Sequence, residues 1–124
     1  MGVEDPSNTL KCTKLACLAP DDAVIKGIKL SFCGWRDGPV DIIDESIRLI
    51  KDGSVDGNDK SSEDPWNVSV PAERSYGDET DLWGLALTPA DVKADDFGVA
   101  IRVTSDSDFA TVSLNALRVT VYWE

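Results

Sequence analysis

The segment DGSVDGNDKSSE, from Asp52 to Glu63, has the spacing of a calcium-binding loop. Oxygen-bearing side chains occupy loop positions 1, 3 and 5, a glycine occupies position 6 and a glutamate occupies position 12, as in an EF-hand. Carboxylate and hydroxyl oxygens are the ligands that Ca²⁺ prefers. The chemistry to be tested is therefore cation binding.

The residues around this loop do not suit the helix pair of an EF-hand. Position 8, where an EF-hand carries an apolar side chain, is Asp59, and the prolines and valines of DPWNVSVP favour an extended chain after the loop. On the entering side, Ile43, Ile47 and Ile50 keep helical spacing, whereas Ile47 and Leu49 alternate as in a strand. We interpret the segment as a polar turn between two strands, and weak calcium binding in that turn stays open.

Aromatic rings are the second group of residues that could bind a ligand, because exposed rings stack on sugar faces and sandwich loops often carry binding sites. The candidate binding residues are Trp35, Trp66, Tyr76 and Trp83, and Trp123 carries a further ring. Trp35 lies in a predicted loop and is the best candidate for an exposed contact. We prefer the interpretation that the rings anchor the core and the turns, which fits Trp83 between Leu82 and Gly84.

The chain contains no histidine, which removes the commonest general base and both Ser-His and Cys-His nucleophilic chemistry. Cys12, Cys17 and Cys33 are odd in number and include no CxxC pair, so we expect small buried side chains and no zinc site. Spacing singles out no pair among the 23 acidic residues. We therefore expect no enzyme activity and no cofactor.

Composition limits the class of protein. A chain of 124 residues with 42% hydrophobic residues is sufficient for one folded domain. The formal net charge of -11 would repel nucleic acid and anionic membranes, so neither is an expected partner. The sequence shows no run of membrane-spanning length and no secretory signal at its start, which predicts a protein made and kept in a reducing cytoplasm.

The candidate residues must be positioned by strands. FGVAIRV, from Phe97, and LRVTVYW, ending at Trp123, alternate strictly between apolar and polar residues and are the predicted central strands. IKGIKLSF predicts a half-buried strand with a bulge at Gly27, and residues 34–39 predict the turn after it. SIRLI and WNVSV predict further extended segments. Residues 88–96 predict a single helical turn capped by Thr88.

Short strands separated by turns rich in Gly and Asp predict an all-β fold, an antiparallel β-sandwich of jelly-roll-like type. We place this single domain at residues 11–124. The polar residues 1–10 form a predicted N-terminal arm that docks on a neighbouring subunit or partner.

The segment from Tyr76 to Val99 is the least generic part of the chain. It contains Tyr-Gly at residues 76–77, Asp-Leu-Trp-Gly at 81–84, Thr-Pro-Ala-Asp at 88–91 and Asp-Phe-Gly-Val at 96–99. This order resembles small β-sandwich virion structural proteins of tailed bacteriophages and prophages. The resemblance covers about residues 8–124, with Asn115 where the pattern commonly has Asp and a poorly matching first strand.

The resemblance implies a non-enzymatic virion protein made in the host cytoplasm. An acidic chain suits the outside of a head, away from packaged DNA. We therefore expect a capsid decoration or cement protein that binds the major capsid protein or other virion proteins. The expected contacts are the arm and one sandwich face, in a homo-oligomer such as a trimer. The alternative is a glycan- or receptor-binding module of a tail fibre or spike, and a carboxylate-based hydrolase comes third.

Overall fold

A computed structural model of the protein describes residues 9–13, 19–37, 42–105 and 111–124. These ranges contain seven strands and one short helix, which are β1 (Thr9–Thr13), β2 (Ile25–Asp37), β3 (Ile42–Lys51), β4 (Ser54–Asp56), β5 (Ala72–Gly77), α1 (Pro89–Lys93), β6 (Gly98–Ser105) and β7 (Thr111–Trp123). β1 begins inside the range predicted as the arm, and residues 1–8 lie outside the described residues.

The strands form two antiparallel sheets that share one hydrophobic core. One sheet has the order β1-β6-β3-β4 and the other has the order β5-β2-β7. The long strands β2, β3 and β6 direct apolar side chains into the core, and Ile28, Leu30, Ile47, Leu49 and Val99 are fully buried there. The predicted all-β antiparallel sandwich is confirmed, and its jelly-roll-like connectivity stays a prediction.

One of the two predicted central strands is central and the other is not. β6 lies between β1 and β3, as expected, whereas β7 pairs with β2 at the edge of the three-stranded sheet. The prediction for β7 was wrong because alternation reports that one face is buried, and an edge strand can bury one face as well. The predicted pairing of the C-terminal segment is confirmed, since Trp123 lies opposite Ile25.

β2 confirms one local prediction and corrects another. Its pairing with β7 shifts register between Ile25 and Gly27, so the predicted bulge is present. The predicted turn at residues 34–39 is wrong for residues 34–37, because β2 continues to Asp37, and residues 38–39 lie outside the described residues. Gly34 lies within this strand, and a Cβ there would lie 2.6 Å from the ring of Trp66. This glycine makes room for a core side chain instead of bending the chain.

The predicted helical turn is confirmed as α1. The hydroxyl of Thr88 accepts a hydrogen bond from the backbone N–H of Asp91 (3.3 Å), and the Asp91 carboxylate accepts one from the N–H of Thr88 (2.9 Å). This capping box satisfies two backbone donors at the start of the helix. Pro89 occupies the first turn, where its missing N–H costs nothing.

Candidate functional site

Three of the four candidate aromatic residues lie in the core. The exposed fractions of Trp66, Tyr76 and Trp83 are 2%, 6% and 0%, so a sugar ring cannot stack on them in the folded sandwich. Trp35 is half-buried and lies in β2, not in the predicted loop. The four residues therefore do not form one site. The structure instead groups Trp66 and Tyr76 around a buried carboxylate that the sequence analysis did not single out.

That carboxylate belongs to Asp44 in β3, whose side chain is completely buried. It accepts hydrogen bonds from the indole N–H of Trp66 (2.9 Å), the hydroxyl of Tyr76 (2.6 Å) and the backbone N–H of Ser62 (3.0 Å). The guanidinium of Arg74 adds an ion pair at 3.3 Å. We call Asp44, Trp66, Arg74 and Tyr76 the Asp44 network. It joins β3 of one sheet to β5 of the other.

Arg74 closes the outer side of the Asp44 network. Its Nε donates to the hydroxyl of Tyr76 (2.9 Å), and its Nη2 also donates to the carbonyl of Asp64 (3.1 Å). The guanidinium lies 5.4 Å from the ring centre of Trp66, a cation–π distance. Burial lowers the pKa of Arg74, but the hydrogen bond to Tyr76 and the charge of Asp44 outweigh burial and raise it. The guanidinium therefore stays charged over the carboxylate.

The Asp44 network is built for stability and not for proton transfer. Burial, and then the hydrogen bond to Asp44, raise the pKa of Tyr76 above its ordinary value, so the phenol keeps its proton and keeps donating it. Four donors bond this carboxylate, one at Oδ1 and three at Oδ2, and the Asp44 side chain has no exposed surface through which a substrate could reach it. A buried carboxylate bonded from several elements of structure links those elements.

A second anchor uses the residues that carry the sequence resemblance. The indole N–H of Trp83 donates to the carbonyl of Ile28 (2.9 Å), and the backbone N–H of Trp83 donates to the Asp81 carboxylate (2.8 Å). Asp81 also pairs with Lys60 at 2.6 Å. Burial raises the pKa of Asp81, but the hydrogen bonds from Lys60 and from Trp83 outweigh burial and lower it. The Asp-Leu-Trp-Gly motif is therefore a core anchor.

Replacing Asp81 with asparagine is expected to lower the free energy of unfolding by about 1 kcal/mol at neutral pH. Because the pKa of Asp81 is lower in the folded state, its carboxylate stabilises the fold above the ordinary aspartate pKa of about 3.9, and this contribution is lost as pH falls through the folded value. Urea unfolding of both proteins between pH 7 and pH 3 measures the difference. A cost that does not shrink toward acid pH would contradict this role for the carboxylate.

The segment with calcium-loop spacing contains a turn and then strand β4, which forms a β-hairpin with β3. The preferred interpretation as a polar turn after a strand is therefore confirmed for Asp52 and Gly53, and it is wrong for residues 54–56. Asp52 and Gly53 form the turn with positive φ angles of 54° and 80°, and β4 follows at Ser54. The Asp59 carboxylate accepts hydrogen bonds from the backbone N–H groups of Ile47 (3.0 Å) and Ser61 (2.9 Å). Burial raises the pKa of Asp59, and these bonds outweigh burial and lower it. Asp59 therefore joins the loop to β3.

Within residues 9–13, 19–37, 42–105 and 111–124, no three acidic or cysteine side chains come together as metal ligands. Cys12 and Cys33 carry free thiols and are half-buried, and Cys17 lies outside the described residues. The same ranges include no helix of the length and apolar character that crossing a bilayer requires.

A shallow cleft lies on the outer face of the three-stranded sheet. Its volume is about 300 Å³, and it is lined by Lys29, Tyr122 and residues 77–80. Trp35 belongs to the same face but lies six residues along β2 from Lys29, which is roughly 20 Å in a strand. The cleft and Trp35 are therefore separate. Tyr122 was missed in the sequence because it belongs to the polar phase of LRVTVYW.

The segment after Trp66 exposes two valines. Val68 and Val70 are 51% and 60% exposed. The predicted strand WNVSV forms only a single parallel bridge, between Arg36 and Val68. The N–H of Arg36 donates to the carbonyl of Asn67 (2.8 Å), and its own carbonyl accepts from the N–H of Ser69 (2.8 Å). We call residues 66–71 the contact segment.

Comparison with known proteins adds no assignment, because the chain matches no protein-family model, no curated protein and no solved structure. Two exposed features are candidates for function: the contact segment, and the cleft on the outer face of the three-stranded sheet, which we call the outer-face cleft. The Asp44 network is buried and stabilises the fold.

Proposed function

We propose that the protein is a non-enzymatic structural component of a phage particle, and specifically a decoration protein that binds the outer surface of an assembled head. The observation that carries the proposal is the contact segment, where Val68 and Val70 are more than half exposed on a chain that is fixed to the sandwich. Its partner would be the major capsid protein, through an apolar recess that accepts the two valines.

The contact segment is anchored before Val68 and again between Val68 and Val70. The backbone N–H of Trp66 donates to the carbonyl of Ile42 (2.8 Å), and the indole of Trp66 is held by Asp44. Further along, the hydroxyl of Ser69 donates to the carboxylate of Asp37 (3.0 Å), and Ser69 has a positive φ of 59°. A segment fixed before binding loses little conformational entropy when it docks.

Charge supports an outward-facing position. The net charge of -11 makes contact with packaged DNA unfavourable, and the carboxylate of Asp37 lies beside the contact segment. A recess with basic residues at its rim would complement this surface. Many copies that bind only the assembled shell would stabilise it by mass action, even if each interface were small.

The proposal predicts saturable co-sedimentation of the protein with assembled, DNA-filled capsids of its own phage. The double substitution Val68→Ser and Val70→Ser is expected to weaken binding roughly tenfold, because two apolar contacts are lost. Val55→Ser is the matched control, since Val55 is 43% exposed on β4 and should leave binding unchanged. Removing residues 1–8 tests the arm while keeping β1 intact.

Two outcomes of this experiment would contradict the proposal. Equal binding by the double variant and the Val55→Ser control would remove the contact segment from the interface. If capsids are ignored while tails or host cell surface bind the protein, it belongs to the tail apparatus. The outer-face cleft then becomes the first place to look for a glycan, because Tyr122 offers a ring and Lys29 and Asp78 offer polar groups beside it.

A further inference from the structure

β7 pairs with β2 along one of its edges, and its other edge directs unpaired backbone N–H and C=O groups outward. Val121 lies opposite Ile28, but the N–H of Ile28 donates to the carbonyl of Asp81 (2.9 Å), on the side away from β7. Ile28 and Val121 therefore form a non-hydrogen-bonded pair. Because hydrogen-bonded and non-hydrogen-bonded pairs alternate in an antiparallel ladder, Val119, Val121 and Trp123 all direct their N–H and C=O groups away from β2.

The next residue along the chain agrees with this alternation. Glu124 exchanges both backbone hydrogen bonds with Val24, at 2.8 and 3.0 Å, as the residue after Trp123 should. In the described parts of the chain, β2 is the sole strand paired with β7. The edge from Leu117 to Trp123 is thus a template for one more strand.

β7 lacks acidic residues, which is unusual in so acidic a protein. The 13 residues of β7 include no Asp or Glu and a single basic residue, Arg118, whereas the whole chain has 23 acidic residues. Two copies with a net charge of -11 repel each other over most of their surfaces. Contact between two β7 edges avoids placing carboxylates against each other.

Apolar side chains are incompletely covered along the same edge. Leu117, Val119 and Val121 pack on the core but are only partly buried, whereas Ile28 and Leu30 of the neighbouring strand are 0% exposed. Trp123 is 46% exposed. An additional strand beside β7 would cover part of this apolar surface, which favours association.

We propose that two copies of the protein pair along Leu117–Trp123, antiparallel, about a twofold axis through Thr120. The pairs are Leu117 with the partner's Trp123, Arg118 with the partner's Tyr122, Val119 with the partner's Val121 and Thr120 with the partner's Thr120. This register places the outward-directed backbone groups of Val119 and Val121 opposite each other, as hydrogen bonding requires. It also joins the two three-stranded sheets into one.

The register is self-complementary in its side chains as well. Arg118 faces an aromatic ring instead of another Arg118, and cation–π pairs of this kind are favourable. Valine opposite valine is a favourable cross-strand pair on the core side. The positive φ of Ala116 (54°) and the register shift between β2 and β7 at this point end the regular edge, so the pairing stops there. A twofold contact closes at two copies, and it does not depend on the proposed role in a phage particle.

Sedimentation equilibrium at micromolar concentrations tests this dimer. The wild-type protein should sediment at about twice its chain mass of 13.4 kDa. Thr120→Asp and Thr120→Lys each place like charges opposite each other on the axis, so each should weaken dimerisation roughly fivefold or more. An equimolar mixture of the two variants should recover dimers, because opposite charges then meet. Thermal unfolding of each variant checks that the monomer remains folded, which is expected because Thr120 lies on the outer face of the sheet.

Recovery of dimers in the mixture would show that the variants lose dimerisation through like charges at the axis. A general loss of stability would not be reversed by mixing. A wild-type monomer or trimer would overturn the proposal. So would single variants that dimerise like the wild type, or a mixture that stays monomeric. Capsid binding by the wild-type protein is scored separately, so failure of either proposal leaves the other standing.

Discussion

Replacing Asp44 with asparagine is expected to lower the free energy of unfolding by about 3–5 kcal/mol, because it leaves Arg74 without its buried counter-charge. The amide nitrogen of asparagine would also face a group that can only donate, either the indole N–H of Trp66 or the backbone N–H of Ser62, and two such donors cannot bond each other. A typical domain has only about 5–15 kcal/mol of stability in total. This single change should therefore bring the sandwich close to unfolding at room temperature.

Equilibrium unfolding in urea, followed by tryptophan fluorescence, measures this effect. Asp64→Asn is the matched control, because it makes the same chemical change on an exposed side chain and should cost less than about 0.5 kcal/mol. Tyr76→Phe should fall between the two, since it removes one donor to Asp44 and keeps the ring. If Asp44→Asn unfolds at the same urea concentration as the control, the network does not hold the sheets together.

Gly77→Ala is expected to lower the free energy of unfolding by about 3–5 kcal/mol, the sum of a left-handed backbone penalty and overpacking. Gly77 has a φ of 81°, which an alanine adopts only at a cost. A Cβ at this position would also overlap the carbonyl oxygen of Ile28 and lie 2.7 Å from the indole nitrogen of Trp83. These two atoms form the hydrogen bond that holds Trp83, so the substitution acts on the anchor directly.

Gly53→Ala separates the two contributions. Gly53 has nearly the same φ, 80°, but the nearest atom to its added Cβ is 3.4 Å away, at the carboxylate of Asp96. This control should show the backbone penalty alone, about 1–2 kcal/mol. Thermal or urea unfolding of both variants gives the comparison. Equal losses would mean that the close approach at Gly77 relaxes and that backbone conformation alone explains the glycine.

The two proposed contact surfaces, the contact segment and the free edge of β7, lie beside different parts of β2. The contact segment is bonded to Arg36, near the end of the strand, whereas Leu117–Trp123 lies beside the first half, from Ile25 to Ser31. A dimer formed along β7 therefore leaves both copies of Val68 and Val70 exposed. Two contact segments on one dimer would bind an assembled surface with higher avidity than one.

Much of the fold could be predicted because its signals are local. The bulge at Gly27 and the capping box at Thr88 depend on a few neighbouring residues, and both predictions are confirmed. The spacing of β3 was ambiguous for a reason that the structure explains. A register shift between Asp44 and Ser46 breaks its alternation, so Ile42, Asp44 and Ile47 all point into the core. A single bulge thus mixes helical and strand spacing in one segment.

The candidate site was predicted less well because its residues meet across the sandwich. Asp44 and Tyr76 are 32 residues apart, and Trp83 reaches a carbonyl 55 residues away. Their partners could not be inferred from spacing. One signal was available for Asp44, which stands two residues after Ile42 at a position where alternation expects an apolar side chain. A carboxylate in that phase indicates a buried partner.

The amino-acid sequence alone determined the class of fold, the net charge, the positions of most strands and the capped helical turn, because periodicity, composition and short-range hydrogen bonding decide these. Only the tertiary structure decided which strand lies at a sheet edge, that Trp66, Tyr76 and Trp83 are core residues, and which apolar side chains stay exposed at Val68, Val70 and Trp123. The physical reason is that exposure depends on what the rest of the chain packs against a residue. Neither the type of a residue nor its neighbours in the sequence determine its exposure.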